Sequence, residues 1–197
     1  MFFQRFFALA VAAMAALALS GCFVVSKNLP AGSGPINDDR LVGDWRVLHS
    51  DSGDEEDVYM HIQKPDPAKP LRLVWVENND YQIYDITTLR IGTKNVFAAK
   101  RVASTEKNAD KQPAGYFLGF YEARESEISF RMFDSEKVGA LIAKHAVKGT
   151  QPPGKYEIAT LTGSPDELAR FLASPQADAA QVDETSRLRR LPPGGRK

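Results

Sequence analysis

The side chains of this sequence that could bind a metal ion are three histidines and a run of carboxylates. The histidines are far apart and lack the short His or Cys spacings typical of zinc sites: His49, His61 and His145. The carboxylates could give oxygen ligands to calcium, but the alternating spacing and distal glutamate of a calcium loop are missing: Asp51, Asp54, Glu55, Glu56 and Asp57. A site between His49 and His61, completed by an acidic side chain, is the alternative. We predict no metal site, with the histidines exposed on strands and the acidic run at a solvated hairpin tip.

Motifs for nucleophilic or phosphoryl-transfer chemistry are also missing from the sequence. There is no G-x-S-x-G elbow and no glycine-rich phosphate loop. No pair of carboxylates lies in a context that predicts burial of both groups. We therefore predict that the protein has no catalytic residue and is not an enzyme.

The residue with the most specific context is the single cysteine. Cys22 has no disulfide partner within the chain, and it follows an apolar run, 6–19, that is preceded by Arg5. The segment Leu19, Ser20, Gly21 and Cys22 resembles the bacterial lipobox. This resemblance implies that a signal peptide, residues 1–21, is removed and that Cys22 carries a diacylglycerol and a further acyl chain. Because each buried CH₂ contributes about 0.8 kcal/mol, two or more chains give stable anchoring.

The lipobox resemblance also implies a location. It places the protein in the bacterial cell envelope, anchored to a membrane through its acyl chains, with the domain expected in the periplasm. Residue 23 is Phe, whereas Asp at this position favours inner-membrane retention in enteric lipoproteins, so we favour the outer membrane over the inner one. The apolar run is shorter than the roughly 18–20 residues that a transmembrane helix needs. The covalent lipid is the only bound group that we expect.

Charge narrows the range of partners. The mature chain of 176 residues has a net charge of −1, because the signal peptide removes a single positive charge. This balance gives no support to nucleic-acid binding and no general attraction to anionic lipid. The length corresponds to one domain, and a core of this size is stable without disulfides.

Composition divides the mature chain into three parts. Residues 22–40 contain the lipidated Cys followed by a segment rich in Pro, Gly and Asn, which predicts a flexible tether. Residues 41–174 form the globular domain. Residues 175–197 have few apolar anchors and five basic residues (Arg187, Arg189, Arg190, Arg196 and Lys197), and we predict a disordered basic tail.

Periodicity in the domain predicts a mainly β fold. Val58, Met60 and Ile62 alternate with polar residues, as in a half-buried strand, and about eight such short segments follow one another with short connections. Short connections favour antiparallel neighbours, so we expect a meander curled into a barrel or half-barrel. Two short helices are predicted near 135–146 and 164–173, the second with a capping box that starts at Ser164.

The first strand opens with Gly43-x-Trp45, which resembles the G-x-W opening of lipocalins and related small barrels. The resemblance implies that Trp45 packs across the closed end of the barrel, often against an Arg from a late strand, for which Arg124 and Arg131 are among the candidates. The two predicted helices depart from the lipocalin plan of eight strands followed by a helix. Numerous strand aromatics would either fill the barrel or line an apolar cavity, and a filled core is the favoured interpretation.

These features rank three functions. The first is a lipid-anchored envelope lipoprotein whose β-rich domain is a non-catalytic binding or scaffolding module, with an envelope protein as its partner. The second is a lipocalin-like carrier of an apolar small molecule or lipid. The third is an envelope hydrolase.

Overall fold

The computed structural model describes residues 24–34, 37–48, 55–77, 80–105, 114–152 and 158–192. The predicted mainly β fold is confirmed, and the sheet closes into an antiparallel barrel of eight strands with three additional short strands and three short helices outside it. The strands are β1 (Val25–Ser26), β2 (Gly43–Leu48), β3 (Glu55–Gln63), β4 (Leu71–Glu77), β5 (Asp80–Ile91), β6 (Lys94–Ser104), β7 (Tyr116–Ala123), β8 (Glu127–Met132), β9 (Gly149–Thr150), β10 (Thr160–Leu161) and β11 (Ser186–Arg190). The helices are α1 (Ser135–Ala143), α2 (Pro165–Ala173) and α3 (Pro175–Ala179), and a 3₁₀ helix spans Asp39–Leu41.

The barrel is closed by its last strand. Strands β2 to β8 form the predicted meander, and β11 lies antiparallel between β8 and β2. Its central residue, Leu188, is opposite Ile128 on one side and Val47 on the other, and all three side chains are buried. Closure leaves neither β2 nor β8 with an unpaired edge at this seam, which removes a site of aggregation.

The prediction of a disordered tail over 175–197 is therefore wrong for 175–192. Helix α3 follows Pro175 and buries Ala177, and the backbone of Val182 donates to the carbonyl oxygen of Met132 at 3.0 Å. One buried apolar side chain, Leu188, is enough for β11 because two neighbouring strands supply its hydrogen bonds. The C-terminal boundary predicted at residue 174 moves to at least 192, and residues 193–197 lie outside the described structure.

The predicted tether differs in a similar way. Val24, Val25 and Ser26 are completely buried, and β1 pairs antiparallel with β7 and parallel with β10. Asn37 is also buried, and its amide donates to the carbonyl oxygens of Pro67 and Lys69 at 3.1 and 2.8 Å. The described residues before 41 are thus part of the domain, because backbone pairing orders a segment whose composition alone predicts mobility.

The helices cover the outside of the barrel on one side. Outward-facing residues of β5, β6 and β7 form a second core with residues of α1, α2 and α3: Leu89, Ile91, Val96, Ala98, Leu118, Val138, Leu168, Phe171, Leu172 and Ala177. Strand β7 is apolar on both faces, and both are covered: Leu118 belongs to this second core and Tyr121 to the core inside the barrel. The capping box of α2 is also present, with Ser164 Oγ accepting from the backbone N–H of Glu167. Helix α1 ends at Ala143, before the predicted 146, and the left-handed His145 (φ 56°) follows it.

The two ends of the barrel differ in their connections. At the end that we call the closed end, short loops join β3 to β4, β5 to β6 and β7 to β8. At the opposite end, the mouth, β2, β4, β6 and β8 finish and β3, β5, β7 and β11 begin. The connections at the mouth include the helical region after β8 and three segments that lie partly or wholly outside the described residues.

Candidate functional site

Trp45 seals the closed end of the barrel. Its side chain is completely buried, and its indole Nε1–H donates to the carbonyl oxygen of Leu41 at 2.8 Å. The guanidinium carbon of Arg190 lies 4.1 Å from the centre of the indole ring. This arrangement is a cation–π contact from the last strand to the first strand of the barrel.

Arg190 is held in place by backbone oxygens. Its Nη1, Nη2 and Nε groups donate to the carbonyl oxygens of Val42, Arg40 and Glu125 at 2.7, 2.8 and 2.7 Å. The guanidinium therefore ties together the 3₁₀ helix, the start of β2 and the loop between β7 and β8. The arginine beside Trp45 is thus neither Arg124 nor Arg131 but a residue that the sequence analysis assigned to the tail.

Gly43 leaves the space that Arg190 occupies. Its φ is +144°, a conformation that residues with a side chain rarely adopt, and a Cβ atom at this position would lie 2.4 Å from Arg190 Nη1. The spacing of Gly43 and Trp45 therefore has a direct steric reason. Gly43 leaves room for the Arg190 guanidinium, and the indole of Trp45 stacks against it.

A buried polar group lies beside this seal. The Tyr121 hydroxyl donates to Asp38 Oδ2 at 2.8 Å, and Arg40 donates from Nε and Nη2 to the same carboxylate at 2.9 and 2.6 Å. Burial raises the pKa of Asp38, but hydrogen bonds from Arg40 and Tyr121 outweigh it and leave that pKa below its usual value. Burial and the hydrogen bond to Asp38 raise the pKa of Tyr121. Both groups thus keep a fixed protonation state near neutral pH, which suits a structural role.

The mouth half of the barrel interior is lined by aromatic rings. Register places the side chains of Trp75, Tyr84, Phe117 and Phe130 on the inner face, because each pairs with or packs against buried interior residues. Each of these four side chains is only partly buried. The interior residues nearer the closed end are buried by contrast: Trp45, Met60, Ile62 and Leu71. Burial toward the mouth is therefore mixed: these four rings are partly exposed, whereas Val47 and Val58, which face inward near the same end, are buried.

Inward-facing rings of the barrel meet edge to face in two pairs. Tyr84 and Phe117 have ring centres 6.1 Å apart at an angle of 78°, and Phe97 and Phe130 have ring centres 6.2 Å apart at 88°. In this geometry the edge of one ring meets the face of the other, which leaves further ring faces able to contact an apolar molecule. Trp75 Nε1–H donates to Glu77 Oε2 at 3.2 Å at the end of β4.

A basic residue also belongs to this inner face. Arg101 is paired with Tyr84 and lies two residues after the inward-facing Ala99, so it occupies an inward position near the end of β6. Gln82, two residues before Tyr84 on β5, is placed in the same part of the barrel. The lining thus combines apolar rings with one cationic and one amide side chain, a combination that suits an apolar molecule with a polar or anionic end.

The two histidines that the structure describes, His61 and His145, lie on different elements. His61 lies on the outer surface, where its Nδ1 is 2.7 Å from Asp44 Oδ1, and His145 follows α1. Residue 49 and segment 51–54 lie outside the described residues, as do the side chains of 55–57. Within the part of the chain that the structure describes, no group of three or more His, Cys, Asp or Glu side chains could hold a metal ion.

The lipobox, Leu19 to Cys22, also lies outside the described residues. Among the residues that are described, no helix has the length and apolar character required to cross a membrane.

No family model, curated protein or solved structure matches this chain. The functional proposal is therefore based on the geometry of the barrel and on the lipobox-like segment that precedes it in the sequence.

Proposed function

We propose that this protein is a lipid-anchored binding module of the bacterial cell envelope, and that the mouth of its barrel binds an apolar small molecule or lipid. The observation that carries the proposal is the partial exposure of inward-facing aromatic side chains toward the mouth, opposite the end that Trp45 closes. The closed half is sealed by Trp45 and Arg190, whereas aromatic side chains in the mouth half face inward and remain partly exposed. An eight-stranded barrel is either filled by side chains or holds one small ligand, and sites for such ligands are lined mainly by apolar and aromatic side chains.

The anchor is proposed from the lipobox. Cys22→Ser removes the thiol that would accept the diacylglycerol, so we expect loss of acyl labelling and accumulation of the uncleaved precursor. Labelling with a radioactive or alkyne fatty acid, with mass spectrometry of the N-terminal peptide, measures both effects. Ser20→Ala is the matched control, because it keeps a small residue before the cleavage point. Unchanged acyl labelling in Cys22→Ser would refute the anchor.

The size of the ligand follows from the energy that its burial supplies. Each methylene group moved from water into the barrel contributes about 0.8 kcal/mol, and a Kd of about 1 µM requires about 8 kcal/mol. A chain or ring system with about ten buried carbons therefore suffices if the mouth is preorganised. The inward position of Arg101 favours ligands with an anionic group, such as a carboxylate, over neutral ligands of the same length.

Binding is tested with a matched pair of probes, dodecanoic acid and dodecanol, in competition with a fluorescent fatty acid. We expect saturable one-to-one binding, with a rise in thermal midpoint that follows ligand excess over Kd. Phe117→Ala should raise the Kd of both probes about tenfold, equivalent to ~1.4 kcal/mol, because it removes an apolar side chain that lines the mouth. Arg101→Gln should weaken binding of dodecanoic acid and leave binding of dodecanol nearly unchanged.

Val102→Ala is the control for these variants, since Val102 follows Arg101 on the same strand and its side chain is 48% exposed. Circular dichroism checks that each variant is folded. If neither probe saturates, the mouth is not a ligand site, and a scaffolding module that binds an envelope protein becomes the leading function. Equal loss of acid and alcohol binding in Arg101→Gln would contradict the anionic preference alone.

A further inference from the structure

We propose that a polar cleft at the closed end of the barrel binds a small oxyanion, meaning the phosphate or carboxylate group of a small polar molecule. Six polar residues line this cleft: Asp38, Arg40, Thr88, Arg90, Asn95 and Tyr121. The cleft lies at the opposite end of the barrel from the mouth. The inference therefore depends neither on ligand binding at the mouth nor on acylation of Cys22.

The size of the cleft limits what it can hold. Its volume is about 260 Å³, and it forms where the segment before β2 meets the ends of β5 and β7 and the start of β6. Sites for small molecules usually have volumes of about 300–1,000 Å³. A cleft slightly below this range suits an ion or a compact polar molecule rather than a long apolar chain.

Buried polar side chains form the inner wall of the cleft. Thr88, Tyr121 and Asp38 are only 1%, 7% and 9% exposed. The Tyr121 hydroxyl donates to Asp38 Oδ2 at 2.8 Å, and Thr88 hydrogen-bonds to the same hydroxyl. Because buried polar groups are costly unless they are hydrogen-bonded, this network holds the Asp38 carboxylate in one position.

Asp38 in turn holds the first cation of the cleft, Arg40. The Nε and Nη2 groups of Arg40 donate to the Asp38 carboxylate at 2.9 and 2.6 Å, and its Nη1 donates to the carbonyl oxygen of Ala123 at 3.3 Å. A guanidinium has five N–H groups, so at least one donor remains for a molecule in the cleft. Since the guanidinium is already fixed, it loses little side-chain entropy when it binds a ligand.

Arg90 is the second cation, and its charge is not neutralised by a neighbour. Its Nη2 donates to the amide oxygen of Asn95 at 3.1 Å, and no carboxylate of the described residues lies within ion-pair distance of it. Its backbone is fixed by mutual hydrogen bonds with Ser33, at 2.6 and 3.0 Å.

The charge of the lining therefore favours an anion. Asp38 and Arg40 neutralise each other, and Arg90 gives the cleft a net positive charge. Guanidinium groups bind phosphate and carboxylate through paired N–H donors, which matches an oxyanion better than a spherical ion such as chloride.

The test is titration calorimetry of the purified full chain with inorganic phosphate and with acetate, each compared with sodium chloride at equal ionic strength. We expect saturable one-to-one binding of phosphate, with a rise in thermal midpoint that follows phosphate excess over Kd. Saturable binding of acetate as well would extend the site to carboxylates. Dodecanol, which has no anionic group, should bind equally well with and without phosphate.

Two variants at the edge of the cleft test the role of Arg90. Arg90→Gln should raise the Kd for phosphate by about tenfold or more, because it removes charge-assisted hydrogen bonds. Asn95→Asp changes the shape of the side chain very little but places a carboxylate beside Arg90, so it should weaken phosphate binding at least as much. Lys100→Gln is the matched control, because it removes one positive charge from an exposed position five residues farther along β6, and its Kd should be nearly unchanged.

These variants do not alter the Asp38–Arg40 pair, so folding is expected to be retained, and circular dichroism checks this. Failure of both phosphate and acetate to saturate the folded wild-type protein would overturn the site. Equal losses of phosphate binding in Arg90→Gln and Lys100→Gln would also overturn it, because they would show attraction by overall charge alone. Competition between phosphate and dodecanol would place phosphate at the mouth instead.

Discussion

Ending the chain at Thr185 is expected to abolish cooperative folding of the barrel. The truncation removes β11, which pairs with both β2 and β8, and so leaves two unpaired edges where the barrel was closed. It also removes Leu188 from the core, and it removes Arg190 from the indole of Trp45 and from three backbone carbonyl oxygens. Thermal unfolding followed by circular dichroism should show a broad, non-cooperative change, and the protein should aggregate at low concentration.

A chain that ends at Pro192 is the matched control, because it retains β11 and lacks only residues outside the described structure. We expect its thermal midpoint to stay within a few degrees of the full-length value. Leu188→Asp tests whether the effect comes from losing the strand or only from shortening the chain. It keeps the full length but places a charge in the barrel core, so it should also destabilise the fold. A sharp transition near the wild-type midpoint in the chain ending at Thr185 would show that β11 is dispensable for closure.

Trp45→Ala is expected to lower the free energy of unfolding by about 3–5 kcal/mol, the usual range for a buried large aromatic side chain. The substitution empties the closed end of the barrel, removes the hydrogen bond to Leu41, and leaves the Arg190 guanidinium without its aromatic contact. Urea unfolding of the soluble domain measures the change. At about 2–4 °C per kcal/mol for a chain of this size, the thermal midpoint should fall by roughly 6–20 °C.

The chain contains two tryptophans, and the second provides a matched control. Trp75 has the same side chain on the same inner face but is only partly buried at the mouth. Trp75→Ala should therefore cost clearly less than Trp45→Ala while weakening binding of the fatty-acid probe. Equal stability losses for the two variants would contradict the distinction between a sealed closed end and an accessible mouth.

Local patterns in the sequence were sufficient for the elements that are specified by neighbouring residues. The alternation of Val58, Met60 and Ile62 places all three inside the barrel, where they are buried. Ser164 and Glu167 form the capping box at the start of α2 as their spacing indicates. These predictions succeed because the interactions that specify a half-buried strand or a helix N-terminus lie within a few residues of one another.

The sequence also pointed to Gly43 and Trp45 as a pair, but it did not identify the arginine that completes their cluster. Arg190 donates to the carbonyl oxygen of Val42 across a separation of 148 positions. In the sequence, Arg190 belongs to a basic, proline-flanked terminus that is typical of a solvated tail. Only the antiparallel pairing of Arg190 with Trp45 places its guanidinium over the indole.

The amino-acid sequence by itself determined that the chain is mainly β, near neutral, and preceded by a segment that resembles a lipobox. The tertiary structure decided that β1 and β11 belong to the fold, that the barrel closes, and that Trp45 is completely buried at one end while several inward-facing rings toward the other end are only partly buried. The physical reason is that β1 and β11 are stabilised by backbone hydrogen bonds to strands distant in sequence. Backbone hydrogen bonds do not depend on a particular side-chain pattern. A short segment with one or two buried residues therefore becomes a strand only when the strands beside it have formed.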